Sequence, residues 1–109
     1  MLDKEGKENI LTIKQAAQTI WGDDCKIETI QENNSPFCMF EILMNIYGCF
    51  DVLLTYDRSI LGIHVKSNGE YLNIRRFTDK KMKGGFESCK LENLLYNFRI
   101  LDEVLHTIK

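Results

Sequence analysis

The sequence predicts an α+β domain: an antiparallel meander of four to five strands, with an N-terminal and a C-terminal helix packed on one face. Three observations carry this. Between Phe37 and Phe77, four apolar runs are split by short polar breaks at Tyr47-Gly48, Asp57-Arg58-Ser59 and Ser67-Asn68-Gly69. The runs are rich in Ile, Val, Phe, Tyr and Leu, whose branched or flat side chains suit a pleated surface. Asn68-Gly69 is a strong hairpin signal, because a two-residue type I′ turn needs positive φ at both central positions. On both flanks, apolar residues recur at three and four, the spacing of one helix face.

The first flank is helical from about Ile10 to Trp21, with Ile10, Ile13, Ala16, Ala17, Ile20 and Trp21 on one side. Asn9 or Thr12 is the expected cap, its side-chain oxygen accepting from a free backbone N–H. Gly22 is the expected stop. Met1 to Asn9 is polar and charged and is expected to fray. Cys25 to Glu32 reads as a short polar edge strand, with Ile27 and Thr29 on opposite faces. Glu32 to Pro36 reads as a loop. Pro36 lacks an N–H and fixes its own φ, so it marks the boundary with the next strand.

Side-chain alternation divides the meander into two faces. Phe40, Ile42, Met44 and Ile46 share one face with Phe50, Val52, Leu54, Tyr56, Leu61, Ile63, Val65, Leu72 and Ile74. The other face is mixed. It carries Glu41, Leu43, Asn45, Tyr47, Asp51, Leu53, Thr55, Asp57, His64, Lys66, Tyr71, Asn73, Arg75 and Phe77. That is the pattern of a sheet covered on one side. Thr78 to Ser88 reads as a basic, Gly-containing, flexible loop. Ser88 is the expected cap of a last helix from Cys89 to about Ile108, whose Leu91, Leu94, Leu95, Phe98, Leu101, Val104, Leu105 and Ile108 form a wide apolar stripe. His106 and Lys109 stand at its C-terminal end, where the helix dipole favours positive charge.

At 109 residues the chain, residues 1–109, reads as a single domain with one core. A net charge of −2 argues against a strongly basic nucleic-acid binder. The start, MLDKEGKENI, has no apolar segment of a secretory signal, and no apolar run approaches the roughly 20 residues that span a bilayer. The four cysteines, Cys25, Cys38, Cys49 and Cys89, form no C-x-x-C pair and have no histidine at zinc-site spacing. They are expected to be reduced, acting as small packing residues. No metal and no cofactor is expected.

Three sets of side chains could carry chemistry. His64 shares the mixed face with Glu41, Asp51 and Asp57, so a histidine–carboxylate pair is geometrically possible. Nothing supplies a nucleophile or an oxyanion hole, and no catalytic residue is assigned. The acidic set Glu41, Asp51, Asp57 and Glu70 reads either as a solvated face or as a partner surface, since aromatic residues accompany it. The basic set Arg75, Arg76, Lys80, Lys81 and Lys83 precedes Gly84-Gly85 but lacks the order of a phosphate-binding loop. It reads as a solvated loop, with nucleic-acid contact as the alternative.

The stretches FDVLLTYDRSILGIHVKSNGEYLNIRRF (Phe50 to Phe77) and ENLLYNFRILDEVL (Glu92 to Leu105), in the order helix, meander, apolar last helix, resemble the small bacterial immunity proteins. These neutralise polymorphic toxins, including those of contact-dependent growth inhibition. The resemblance implies a non-enzymatic cytoplasmic protein that binds a toxin domain, often a nuclease, and blocks its active site or substrate path. Opposite charge speeds encounter with a basic nuclease cleft. Strand alternation then names Glu41, Asp51, Asp57, Glu70 and Tyr71 as the contact residues. The rivals are a small dimeric binding module such as a secretion chaperone or phage-encoded inhibitor, a nucleic-acid binder using the basic loop, and a small enzyme using His64 with Asp51 or Asp57.

Overall fold

The computed structural model describes residues 4–32, 39–57 and 60–108. Its elements are α1 (Lys4–Trp21), β1 (Cys25–Glu32), β2 (Phe40–Ile46), β3 (Phe50–Asp57), β4 (Ile60–Ser67), β5 (Glu70–Asn73) and α2 (Leu91–Thr107). The strands form one antiparallel sheet in the order β1-β2-β3-β4-β5, so neighbours in sequence are neighbours in space. This is the expected α+β meander with a helix at either end. The ends Met1–Asp3 and Lys109, the Asn33–Pro36 loop with its Pro36 boundary, Cys38 and the Arg58-Ser59 break lie outside the described residues.

Helix α1 begins earlier than its apolar stripe. Lys and Glu are good helix formers, so the charged start continues the helix rather than fraying from it. Thr12 is therefore an interior residue, and its Oγ1 donates back to the Glu8 carbonyl at 2.9 Å instead of capping. Ile10, Ile13, Ala16, Ala17 and Trp21 face inward. Gly22, at φ +55°, ends the helix as expected.

In β1 the register slips between Ile27, which pairs with Met44, and Thr29, which pairs with Leu43. The bulge at Glu28 puts Ile27 and Thr29 on opposite faces. A charged bulge also makes an edge strand a poor template for further pairing. Strands β2 and β3 alternate as expected: Phe40, Ile42, Met44, Ile46, Val52, Leu54 and Tyr56 are buried. Asn68 (φ 52°) and Gly69 (φ 83°) make the predicted left-handed turn. Tyr47 (φ 58°) and Gly48 (φ 72°) make another, closed by Cys49 N–H donating to the Ile46 carbonyl at 3.2 Å.

Two ends differ from expectation. The last strand stops at Asn73, not at Phe77. The Asn73 side chain accepts from Arg75 N–H at 3.0 Å and caps a 3₁₀ turn, Ile74–Arg76, which takes the chain out of the sheet. Ile74 then enters the core and Phe77 packs against it. Helix α2 begins at Leu91, and Ser88 does not cap it. Because β5 is short, the first half of β4 has no outer strand, and the buried Ser88 Oγ instead accepts from Leu61 N–H at 2.9 Å.

Both helices cover the same sheet face. Leu94, Phe98, Leu101, Val104 and Leu105 of α2 join the inward residues of α1 and the sheet in one continuous core. The Trp21 and Phe98 rings meet at 5.2 Å between centroids, and Phe40 stacks on Tyr56 at 4.8 Å. Aromatic pairs of this kind contribute about 0.5–1.5 kcal/mol beyond the area they bury.

Candidate functional site

The second face of the sheet is uncovered by any described element. Cross-strand pairing arranges it in rows. The central row is Thr29–Leu43–Leu53–His64–Asn73. Beside it runs Gln31–Glu41–Thr55–Gly62. On the other side Lys26 pairs with Asn45, Asn45 with Asp51, and Lys66 with Tyr71. Leu43 and Leu53 are half-buried at the centre.

The polar flank is a ladder. Asn45 Nδ2 donates to Asp51 Oδ1 at 3.1 Å, Lys66 Nζ lies 3.9 Å from Asp51, and it also sits over the Tyr71 ring at 5.8 Å. Burial pushes the Tyr71 phenol up, helped by the charges of Asp51 and Glu28. At the opposite end, Glu41 and Asp57 make no ion pair among the described residues. The face is therefore neutralised along one flank and acidic at the other end.

His64 is fixed by what Gly62 lacks. A Cβ on Gly62 would stand 2.8 Å from Thr55 Oγ1 and 3.1 Å from His64 Nε2. The imidazole leans into that space and meets Thr55 Oγ1 at 3.1 Å. Burial lowers its pKa from 6.5, and the nearby Glu41 charge opposes this only in part. The folded state thus holds His64 neutral more firmly than the unfolded chain does. The contribution of His64 to stability is full above pH 6.5 and is lost as the pH drops through the lowered folded pKa. Replacing His64 with Gln should flatten the fall in melting temperature as the pH drops below 6.5. An unchanged slope in that variant would contradict the assignment.

Of the residues expected to make contact, Glu41, Asp51 and Tyr71 stand on this face, and Asp57 stands at its end. Glu70 pairs with Ser67 at the hairpin turn, one position out of phase with Tyr71, so it lies on the other side of the sheet. Three further residues expected on the mixed face are elsewhere. Arg75 and Phe77 leave with the 3₁₀ turn. Tyr47 is turned toward the helices by its positive φ.

Tyr47 belongs to a cluster that the sequence pattern did not reveal. Its hydroxyl donates to Asp102 Oδ1 at 2.6 Å, and Trp21 Nε1 donates to the same oxygen at 3.0 Å. His106 Nδ1 lies 2.8 Å from the Asp102 carbonyl oxygen and 3.6 Å from its carboxylate, and the His106 ring meets Tyr47 edge-on at 5.5 Å. The Asp102 hydrogen bond, with some burial, pushes the Tyr47 phenol up to about 12. The only signal in the sequence was the i, i+4 spacing of Asp102 and His106. A left-handed tyrosine costs about 1–2 kcal/mol, and the bond to Asp102 offsets it.

The cysteines divide by place. Burial raises the Cys25 thiol to about 11, and Cys89 is buried, so both serve packing. Cys49 is exposed in the β2–β3 turn, contrary to the packing expectation. Among the described residues there is no group of three or more His, Cys, Asp or Glu placed to hold a metal ion. No described helix is long and apolar enough to cross a membrane.

Comparison with protein-family models, with curated proteins and with solved structures finds no match to this chain.

Proposed function

We propose that this chain is a protein-binding inhibitor of the immunity type, and that its open sheet face holds a toxin domain. The observation that supports this reading is the cross-strand pair Leu43–Leu53, half-buried at the centre of an uncovered face and framed by polar side chains. An apolar centre with a polar rim is the anatomy of a recognition surface. Tyr71, on the rim, is of a type that often anchors such contacts. The acidic end at Glu41 and Asp57 suits a basic partner, such as the substrate cleft of a nuclease, and would speed encounter with it. On this reading the protein works in the cytoplasm of the cell that produces the toxin.

Growth rescue tests the proposal. The partner captured by this protein, expressed alone in a host cell, should arrest growth, and co-expression of this chain should restore it. A partner that is harmless alone, or one whose toxicity this chain leaves unchanged, would overturn the immunity reading.

A further inference from the structure

We propose that the loop from Arg75 to Lys83 is a second binding site, which takes the phosphate groups of a nucleotide or of a single-stranded nucleic acid. In a chain of net charge −2, this stretch holds Arg75, Arg76, Lys80, Lys81 and Lys83 against the single carboxylate of Asp79. Arg75, Thr78, Asp79, Lys80, Lys81 and Met82 line an open hollow of about 530 Å³. That volume lies within the usual range of small-ligand sites.

The loop is held in shape before any ligand arrives. Asn73 fixes the Arg75 backbone, and Thr78 Oγ1 accepts from Lys80 N–H at 3.2 Å. Lys80 pairs with Glu103 on α2. The buried Asn97 side chain accepts from Lys83 N–H at 2.7 Å and donates to the Lys83 carbonyl at 2.9 Å. Preorganisation of this kind lowers the entropic cost of binding.

The cations are unequally engaged. Lys80 is taken by Glu103, and Lys83 Nζ lies 4.2 Å from the centroid of the Tyr96 ring. Arg75, Arg76 and Lys81 make no ion pair among the described residues. Asp79 opposes an anion in the hollow, yet Arg75 and Lys81 together outweigh it. The planar guanidinium of arginine matches two phosphate oxygens at once, which a lysine cannot do.

The test uses the whole protein and three probes: a short labelled oligothymidylate, adenosine triphosphate and polyglutamate. The variant R75Q/K81Q should bind the phosphate probe about tenfold more weakly while melting like the wild type. Raising the salt from about 50 to 200 mM should weaken the oligonucleotide about twentyfold, the effect of neutralising about three phosphates. Adenosine triphosphate bound as tightly as the oligonucleotide assigns the site to free nucleotides, and preference for the oligonucleotide assigns it to nucleic acid. Absence of binding to both phosphate probes, equal binding by the variant, or equal binding of polyglutamate overturns the proposal. The loop shares no residue with the open sheet face, so its failure leaves the partner reading untouched.

Discussion

Replacing Leu43 and Leu53 together with lysine is expected to weaken partner binding by about a hundredfold or more, because central anchors carry most of an interface's energy. The fold should survive. Both side chains are only half-buried, so each change removes a fraction of the roughly 1.5–3 kcal/mol that full burial of a leucine contributes. Urea melts of the variant check this directly. A second pair of changes separates charge from packing. Glu41→Lys with Asp57→Lys should slow association by about tenfold and reduce its salt dependence, with little effect on dissociation. Stopped-flow or surface-binding kinetics at two salt concentrations would read both. If the lysine pair at Leu43 and Leu53 bound like the wild type, the partner would have to sit elsewhere.

Asp102→Ala should produce the largest loss of stability among the surface-reaching polar residues, about 2–3 kcal/mol, or about 10 °C in melting temperature. Trp21 is 5% exposed, and its Nε1–H would lose the Asp102 oxygen that accepts from it. The same change frees the strained Tyr47 turn from its tie to α2. Titration of tyrosine absorbance supplies a second readout. In the wild type the Tyr47 phenol is raised from 10.0 to about 12, so its contribution is complete below pH 10.0 and is lost as the pH rises to about 12. In Asp102→Ala that late step should move back toward the ordinary range, and the alkaline loss of stability assigned to Tyr47 should disappear. A late step that persists in the variant would place its cause outside Asp102.

The sheet was legible because period-two alternation is a local property. Phe40 to Ile46 and Phe50 to Tyr56 could be assigned to faces one by one, and the Asn68-Gly69 turn fixed where β4 returns as β5. The register that places Leu43 beside Leu53 comes from the structure, where β2 returns as β3 through the Tyr47-Gly48 turn. What alternation could not show was where it stops. Asn73 ends β5 with one side-chain hydrogen bond, and that single bond removes Arg75 and Phe77 from the open face. Ser88 reads locally as a helix cap, but a β4 amide 27 residues away in sequence claims its hydroxyl. Tyr47 looks like one more strand residue until its left-handed backbone turns the ring toward Asp102, 55 residues further on. Each of these is a competition between a local preference and a distant partner, and the sequence alone displays only the local side.

The most direct test of the open-face account is capture of the partner from the producing strain at physiological salt with three tagged proteins in parallel: the wild type, L43K/L53K and R75Q/K81Q. The account predicts one stoichiometric protein partner held by the wild type and by the loop variant, and lost by the sheet variant. A partner held equally by L43K/L53K, or lost only by R75Q/K81Q, would contradict it.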